Sequence, residues 1–176
     1  FDPEDDLTLE AWVRPLQVTE KARILQHKSG ASEYTLGLKQ AELSSAFKLD
    51  GAADYVTIPA NAALNFAGSI TIEAWIKPAV TDGTRTIVAH GYPHRGTPEL
   101  FLRIENGQYQ AGIWQGSNHL AAMPIPEADK QGKDWVHLAG VYDAVAQKWL
   151  LYRNGVLENS AVSSVGAQVV NADWGI

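Results

Sequence analysis

Apolar and polar residues alternate with a period of two along most of the chain. Alternation of this kind places successive side chains on opposite faces of a β-strand, and helix-period stretches of useful length are hard to find. Turn residues separate the alternating stretches, so the sequence predicts an all-β fold, a sandwich or barrel of antiparallel strands. The clearest alternating stretches are residues 7–13, 70–77, 100–105, 108–114, 136–142 and 149–153.

Three β-hairpins can be assigned from the residues between these strands. Asn106-Gly107 and Asn154-Gly155 each supply the two positive-φ residues that a type I′ turn requires. Residues 143–147 predict a looser connection between the strand at 136–142 and the next one along the chain.

Two other stretches depart from strict alternation. Residues 115–134 contain two glycines and two prolines, and we expect at most one short strand near residues 119–123. The rest of that stretch is predicted to be a long surface connection. Residues 61–64 predict one helical turn.

The chain contains an internal repeat. Residues 8–15 recur as residues 71–78, with threonine, glutamate, alanine, tryptophan and proline at the same places and an offset of 63. At the same offset residues 24–27 align with 87–90, and after a short insertion residues 33–36 align with 99–102.

The first copy is incomplete because it stops near residue 40, whereas the second continues. We therefore divide the chain into residues 1–43, a partial copy with early strands only, and residues 44–176, a fuller copy. Three strands bury too little surface to fold alone. Residues 1–43 must pack on or complete the second copy, or belong to a sandwich completed elsewhere.

Composition narrows the classes of partner. Among 176 residues there are 20 acidic and 14 basic ones, a formal net charge of −6, which disfavours a nucleic-acid partner. No apolar stretch approaches the roughly 20 residues that span a bilayer, so no membrane insertion is expected. The absence of cysteine excludes a disulfide scaffold, thiolate zinc sites and a thiol nucleophile. The sequence does not specify an oligomeric state.

The second copy resembles a laminin-G-like domain, one of the concanavalin A-like jelly-roll sandwiches. The resemblance implies an antiparallel jelly-roll β-sandwich and a non-catalytic recognition or adhesion module of a larger secreted or cell-surface protein, which binds carbohydrate or an extracellular protein. Such domains usually continue through a glycine-rich loop and a last strand, so we expect residues 44–176 to lack their last strands. The landmarks are residues 47–51, 54–59, 69–78, 135–143 and 151–155.

Two other functions stay open beside recognition. The chain could be a structural spacer or assembly domain of an adhesin or toxin, or a polysaccharide hydrolase or lyase on the same fold. The Glu-x-Asp-x-x-Glu pattern of the related hydrolases is absent, and Glu73 is an isolated strand carboxylate that we expect to bond a neighbouring strand. The five histidines lack zinc-protease spacing, and His137 is interpreted as a structural sheet residue. The sequence therefore predicts that the protein is not an enzyme.

Two groups of residues are candidates for ligand binding. Arg103, Gln110 and Trp114 are predicted to share one solvent-facing surface, where an indole and directional donors suit sugar rings or an acidic peptide. The alternative is that Trp114 packs beneath the 115–134 connection. The second group, Tyr92, His94 and Arg95, lies in a loop inserted relative to the first copy.

No cofactor is required, but the resemblance implies that calcium could bind at one rim. Asp50, Asp54 and Asp143 are turn carboxylates that could contribute oxygen ligands. No Asp-x-Asp-x-Asp loop marks a site, and each aspartate could instead cap its own turn.

Four tryptophans are predicted to lie in the core between the two sheets. They are Trp12, Trp75, Trp135 and Trp149. Their placement on strands and the bulk of the indole ring favour this interpretation over ligand stacking.

Overall fold

A computed structural model describes residues 21–29, 32–39, 46–49, 54–92 and 96–176. The chain divides into two compact units, Phe1–Lys48 and Leu49–Ile176. In the first unit an antiparallel hairpin is formed by β1 (Lys21–Ser29) and β2 (Ser32–Lys39). The strand predicted at residues 7–13 lies outside the described residues.

The second unit contains two antiparallel sheets, as the sequence predicts. Within the described residues one sheet has four strands in the order β11-β10-β9-β4, and the other has six in the order β3-β12-β5-β6-β7-β8. The strands are β3 (Thr57–Ile58), β4 (Ile70–Ile76), β5 (Thr84–His90), β6 (Glu99–Glu105), β7 (Gln108–Trp114), β8 (Asn118–Pro124), β9 (Val136–Asp143), β10 (Lys148–Arg153), β11 (Val156–Val162) and β12 (Trp174–Gly175).

The turns follow the residues that predicted them. Asn106 and Gly107 have φ of 48° and 79°, and Asn154 and Gly155 have φ of 49° and 79°, so both pairs take the left-handed conformation of a tight hairpin. The looser hairpin between β9 and β10 is also present. Ala62–Leu64 forms one turn of 3₁₀ helix, as predicted from residues 61–64.

The two hairpins β1–β2 and β5–β6 share one pairing register. His27 pairs with Tyr34 in the first hairpin, and the residues at the repeat offsets, His90 and Leu100, pair in the second. Each pairing also carries one irregularity, between Arg23 and Leu25 in β1 and at the equivalent place, Thr86 to Val88, in β5. The repeat in the sequence thus coincides with a repeat in backbone pairing.

The core of the second unit lies between its two sheets. Trp149 is fully buried, as predicted, and its indole N–H donates to the carbonyl oxygen of Val165 at 3.0 Å. Gly140 on β9 lies so close to Ala111 on β7 that a Cβ at residue 140 would collide with it, which brings the sheets together at this point. The other large side chains buried there are Tyr109, Leu102, Ile113, Leu138, Leu151 and Val136.

The 115–134 stretch is more structured than the sequence predicts. Its strand, β8, is seven residues long and pairs with β7 along its whole length. The following Glu127–Gly132 segment, a broken 3₁₀ helix, is not a surface connection throughout, because Asp129 is only 3% exposed.

Asp129 ties this segment to both sheets. Its carboxylate accepts two hydrogen bonds from the Arg153 guanidinium on β10 and one from the Tyr109 hydroxyl on β7 at 3.1 Å. These bonds raise the pKa of Arg153 above its ordinary value, and burial together with the Asp129 charge raises the pKa of Tyr109. These bonds anchor the Glu127–Gly132 segment to β7 and β10 at one end of the core.

We predict that Asp129→Ala destabilises the second unit strongly. The substitution leaves the Arg153 guanidinium without its partner in a largely buried position, a change that costs about 3 kcal/mol. Urea denaturation followed by tryptophan fluorescence measures the loss in free energy of unfolding.

The matched control is Glu127→Ala in the same segment. Glu127 pairs with Lys130 at the surface, where its side chain is 83% exposed, so its loss should cost no more than about 0.5 kcal/mol. Equal effects of the two substitutions would contradict a structural role for the Asp129 contacts.

Candidate functional site

Polar side chains form a strip on the outer face of the six-stranded sheet, which we call the arginine strip. Arg103 is at its centre, where Nε donates to Gln110 Oε1 at 3.1 Å and also lies 3.4 Å from Glu105 Oε2. Thr84 donates its hydroxyl to Glu105, at 3.0 Å from each carboxylate oxygen. Strand pairing explains the strip, because Thr86, Arg103 and Gln110 are neighbours in register across β5, β6 and β7.

The predicted solvent exposure of this face is wrong at Gln110, which is 7% exposed. Its amide is held between Arg103 and Gln108. Phe101, on the same face, is 1% exposed, and the Arg103 guanidinium lies 3.8 Å from its ring centroid. The polar groups of the arginine strip bond one another. Alternation along a strand predicts which face a side chain lies on, but not whether it is bonded to its neighbours there.

Of the remaining predicted ligand residues, the structure describes Trp114 and Tyr92. Trp114 is half-buried at the end of β7 and paired with Glu99 and Asn118, and Asn118 Oδ1 accepts a hydrogen bond from the Arg103 guanidinium at 3.4 Å. Tyr92 is 38% exposed, and its backbone N–H and C=O both bond Thr97 at the base of the loop. His94 and Arg95 lie outside the described residues.

Two tryptophans predicted to be in the core are exposed instead. Trp75 on β4 is 60% exposed and Trp135, directly before β9, is 48% exposed. Ile72 and Val136 point into the core, so alternation turns Trp75 and Trp135 to the opposite, outer face of the four-stranded sheet. The signal was present in the sequence, since Trp75 has the same parity as Glu73. Trp12 lies outside the described residues.

Glu73 and His137 accompany these indoles and complete what we call the tryptophan surface. Trp75 and His137 are paired across β4 and β9, and their ring centroids are 5.1 Å apart. His137 Nε2 lies 3.3 Å from Glu73 Oε2, so the expected contact of Glu73 with a neighbouring strand is present. His137 is only 4% exposed, so the exposed indoles offer a stacking platform and the Glu73 carboxylate offers the directional polar contact beside them.

The aspartates considered for calcium have different surroundings. Asp143 caps its own turn, because one carboxylate oxygen accepts the backbone N–H groups of Val145 and Ala146, each at 2.9 Å. Asp54 is exposed, and Asp50 lies outside the described residues. In the described ranges no group of three or more histidine, aspartate or glutamate side chains is arranged to hold a metal ion.

A pair of stacked rings, the buried His90 and the partly buried Trp174, holds β12 against β5. The rings of His90 and Trp174 are stacked with centroids 4.4 Å apart, and His90 Nε2 lies 3.1 Å from the carbonyl oxygen of Ala172. Trp174 donates its indole N–H to the carbonyl oxygen of Leu64 at 2.9 Å, which ties β12 to the 3₁₀ turn at Ala62–Leu64. Burial of the imidazole lowers the pKa of His90 below 6.5, and its bond to Ala172 opposes this effect.

We predict that this pair makes stability depend on pH. The unfolded chain binds a proton at His90 near pH 6.5 and the folded chain only at lower pH, so the contribution of neutral His90 is complete above pH 6.5 and is lost as the pH falls below it. His90→Phe keeps an aromatic ring against Trp174 but removes the titration. Urea midpoints at pH 7.5 and pH 5.0 should therefore differ more in the wild type than in the variant. The same difference in both proteins would contradict the assignment.

Together these features define the class of protein, an antiparallel β-sandwich that carries polar and aromatic groups on its outer faces. The family model described as the concanavalin A-like lectin/glucanases superfamily, of laminin G type, matches residues 50–175. This match covers most of the chain, so the chain belongs to that family. Laminin G-like domains are binding modules of extracellular proteins, while the family description includes both lectins and glucanases.

Two solved structures are similar to the chain. Domains LG4-5 of the mouse laminin alpha1 chain are 12% identical over 79% of this chain and 38% of that one, with a TM-score of 0.51, a likeness of fold alone. The native heptameric SAP-like pentraxin from Limulus polyphemus is 18% identical over 69% of this chain and 61% of that one, with a TM-score of 0.40. The chain thus spans less than two thirds of either structure.

Among curated protein sequences no match is found. In the described part of the chain no helix is long and apolar enough to cross a membrane.

Proposed function

We propose that the protein is a non-catalytic recognition module of a larger secreted or surface protein, which binds carbohydrate or an extracellular protein. The observation that carries the proposal is the tryptophan surface. Indole rings as exposed as those of Trp75 and Trp135 lose contact with water when a ligand stacks on them, which favours binding. Glu73, whose side chain is 57% exposed, supplies a polar partner for hydroxyl or amide groups beside those rings, and the buried His137 holds its carboxylate in place.

The bonding of the carboxylates supports recognition rather than hydrolysis. Retaining and inverting glycosidases need two carboxyl groups that face one bond of the substrate. Glu73 contacts His137, Glu105 contacts Arg103, and Asp129 is buried against Arg153. Each of these acids is thus engaged by a basic side chain and not by a second acid.

We also propose that residues 1–43 are the opening part of a second module of the same family. The repeat of residues 8–15 at 71–78 supports this, and so does the shared register of the two hairpins. An irregularity at the same place in both pairings is a specific feature, because bulges re-aim side chains and are retained as designed elements of a sheet.

A glycan array tests the recognition function with the full chain. Specific binding of one glycan class is expected, and Trp75→Ala should reduce it by about tenfold or more, the equivalent of 1.4 kcal/mol. Trp114→Ala is the matched variant on the other sheet, and it keeps binding if the tryptophan surface is the site. Loss of binding in Trp114→Ala alone would move the site to the end of β7.

A blank array is followed by capture with immobilised extracellular matrix proteins, using the same two variants. Binding to neither class by a folded wild type would overturn the recognition function and favour a structural spacer. Hydrolysis of a polysaccharide that Glu73→Gln abolishes would overturn the non-catalytic assignment.

A further inference from the structure

β4 lies at an edge of its sheet but has the composition of an interior strand. Within the described part of the chain its one neighbouring strand is β9, and the two pair without a register shift. Residues 70–76 contain no proline, no lysine and no bulge, three of the devices that protect an exposed edge, and Glu73 is the one charged residue among them.

The other three edges of the sandwich carry such protection. β3 is only two residues long, and β8 ends in Pro124. The pairing of β11 with β10 is broken by a shift at Leu151. β4 is therefore the edge that is suited to accept another strand.

An apolar groove runs beside this edge, which we call the β4 groove. The six-stranded sheet continues beyond β5 with β12 and β3, whereas β4 is the last strand of the four-stranded sheet among the residues that the structure describes. The cavity of about 480 Å³ that results is lined by β4 itself and by Ile58, Leu64, Phe66, Val88 and Trp174. Ile58 and Leu64 are each 38% exposed and Phe66 is 44% exposed, so apolar surface remains open to solvent here.

A second copy of the chain does not fit beside β4 in antiparallel pairing. β4 packs over β5 in the opposite sheet, and on the side of β5 away from β6 the sheet continues with β12 and then β3. The β5 of an added copy would have to occupy the position of β12. A single extended segment without a second layer avoids this collision.

We propose that β4 receives an extended segment of a separate extracellular protein, apolar at every second residue and basic between. The inference rests on the proposed recognition function and names the form of its protein ligand. Such a segment bonds the backbone groups of β4 that face away from β9 and inserts alternate side chains into a groove, the usual mode of strand addition. Its inner side chains would lie against Ile58, Phe66 and Trp174.

The acidic and aromatic groups beside β4 favour basic side chains at the outward positions of that segment. They would lie beside Glu73, whose side chain is 57% exposed, and beside the exposed ring of Trp75. A carboxylate and an indole face both attract arginine or lysine, and the chain as a whole has a net charge of −6.

The test is calorimetric titration of the full chain with a nine-residue peptide, valine or isoleucine at alternate positions and arginine or threonine between. The reference is a peptide of the same composition with its alternation scrambled. Binding of the alternating peptide is expected, and Phe66→Lys should weaken it by about tenfold or more. Val156→Lys on the β11 edge is the matched control, since Val156 is 61% exposed, and it should leave binding unchanged.

A second pair of variants tests the charge. Glu73→Gln should weaken binding by about threefold at low salt and less at high salt, whereas Glu158→Gln should have no effect. Melting temperatures show whether each variant is folded, and Ile58→Lys replaces Phe66→Lys if that variant is not.

Several results would overturn the proposal. They are the absence of peptide binding, equal binding of the scrambled peptide, and equal weakening by Phe66→Lys and Val156→Lys. A wild-type dimer in sedimentation that Phe66→Lys converts to a monomer would assign the groove to a second copy. Glycan or matrix binding without peptide binding would leave the proposed function intact and remove this inference alone.

Discussion

Each sheet of the second unit has one apolar face, and burial of these two faces against each other is the interaction on which the rest of the structure depends. Trp149, Tyr109 and Leu138 are withdrawn from water there, and Gly140 allows the backbones to approach. Because side chains alternate along a strand, the inward positions also fix which residues point outward. The outer faces are therefore consequences of the core.

The two sheets differ in width, and this difference shapes the surface. In the described part of the second unit six strands lie against four, so β12 and β3 extend beyond β4, the last described strand of the opposite layer. Their inner side chains, Trp174 and Ile58, then border an open groove rather than a closed core. The stacked His90 and Trp174 rings hold β12 in place, so the groove has one firm wall.

Local patterns predicted most of the fold. Alternation located the strands, and the Asn106 and Asn154 turns fixed two hairpins because few residue pairs tolerate two positive φ values in succession. The buried Asp129 could not be predicted in this way. Its partners, Arg153 and Tyr109, come from strands far apart in sequence, and no local period records such a contact.

The outer faces were predicted only in part. Parity placed Arg103 and Gln110 together, but their exposure depends on the bonds they make with each other. Trp75 and Trp135 were predicted to be buried because tryptophan usually is, but both are exposed. Alternation with their buried neighbours places them on the outer face. Alternation predicted their exposure better than residue type, because only one face of each strand packs into the core of a sandwich.

The central claim is that β4 is an open edge beside the groove, and amide hydrogen exchange of the uncomplexed chain tests it most directly. In an antiparallel edge strand every second backbone N–H bonds the neighbour and the others face solvent. The account predicts alternating slow and fast exchange along residues 70–76, with uniformly slow exchange in β9, which is paired on both sides. Uniformly slow exchange along β4 would contradict it.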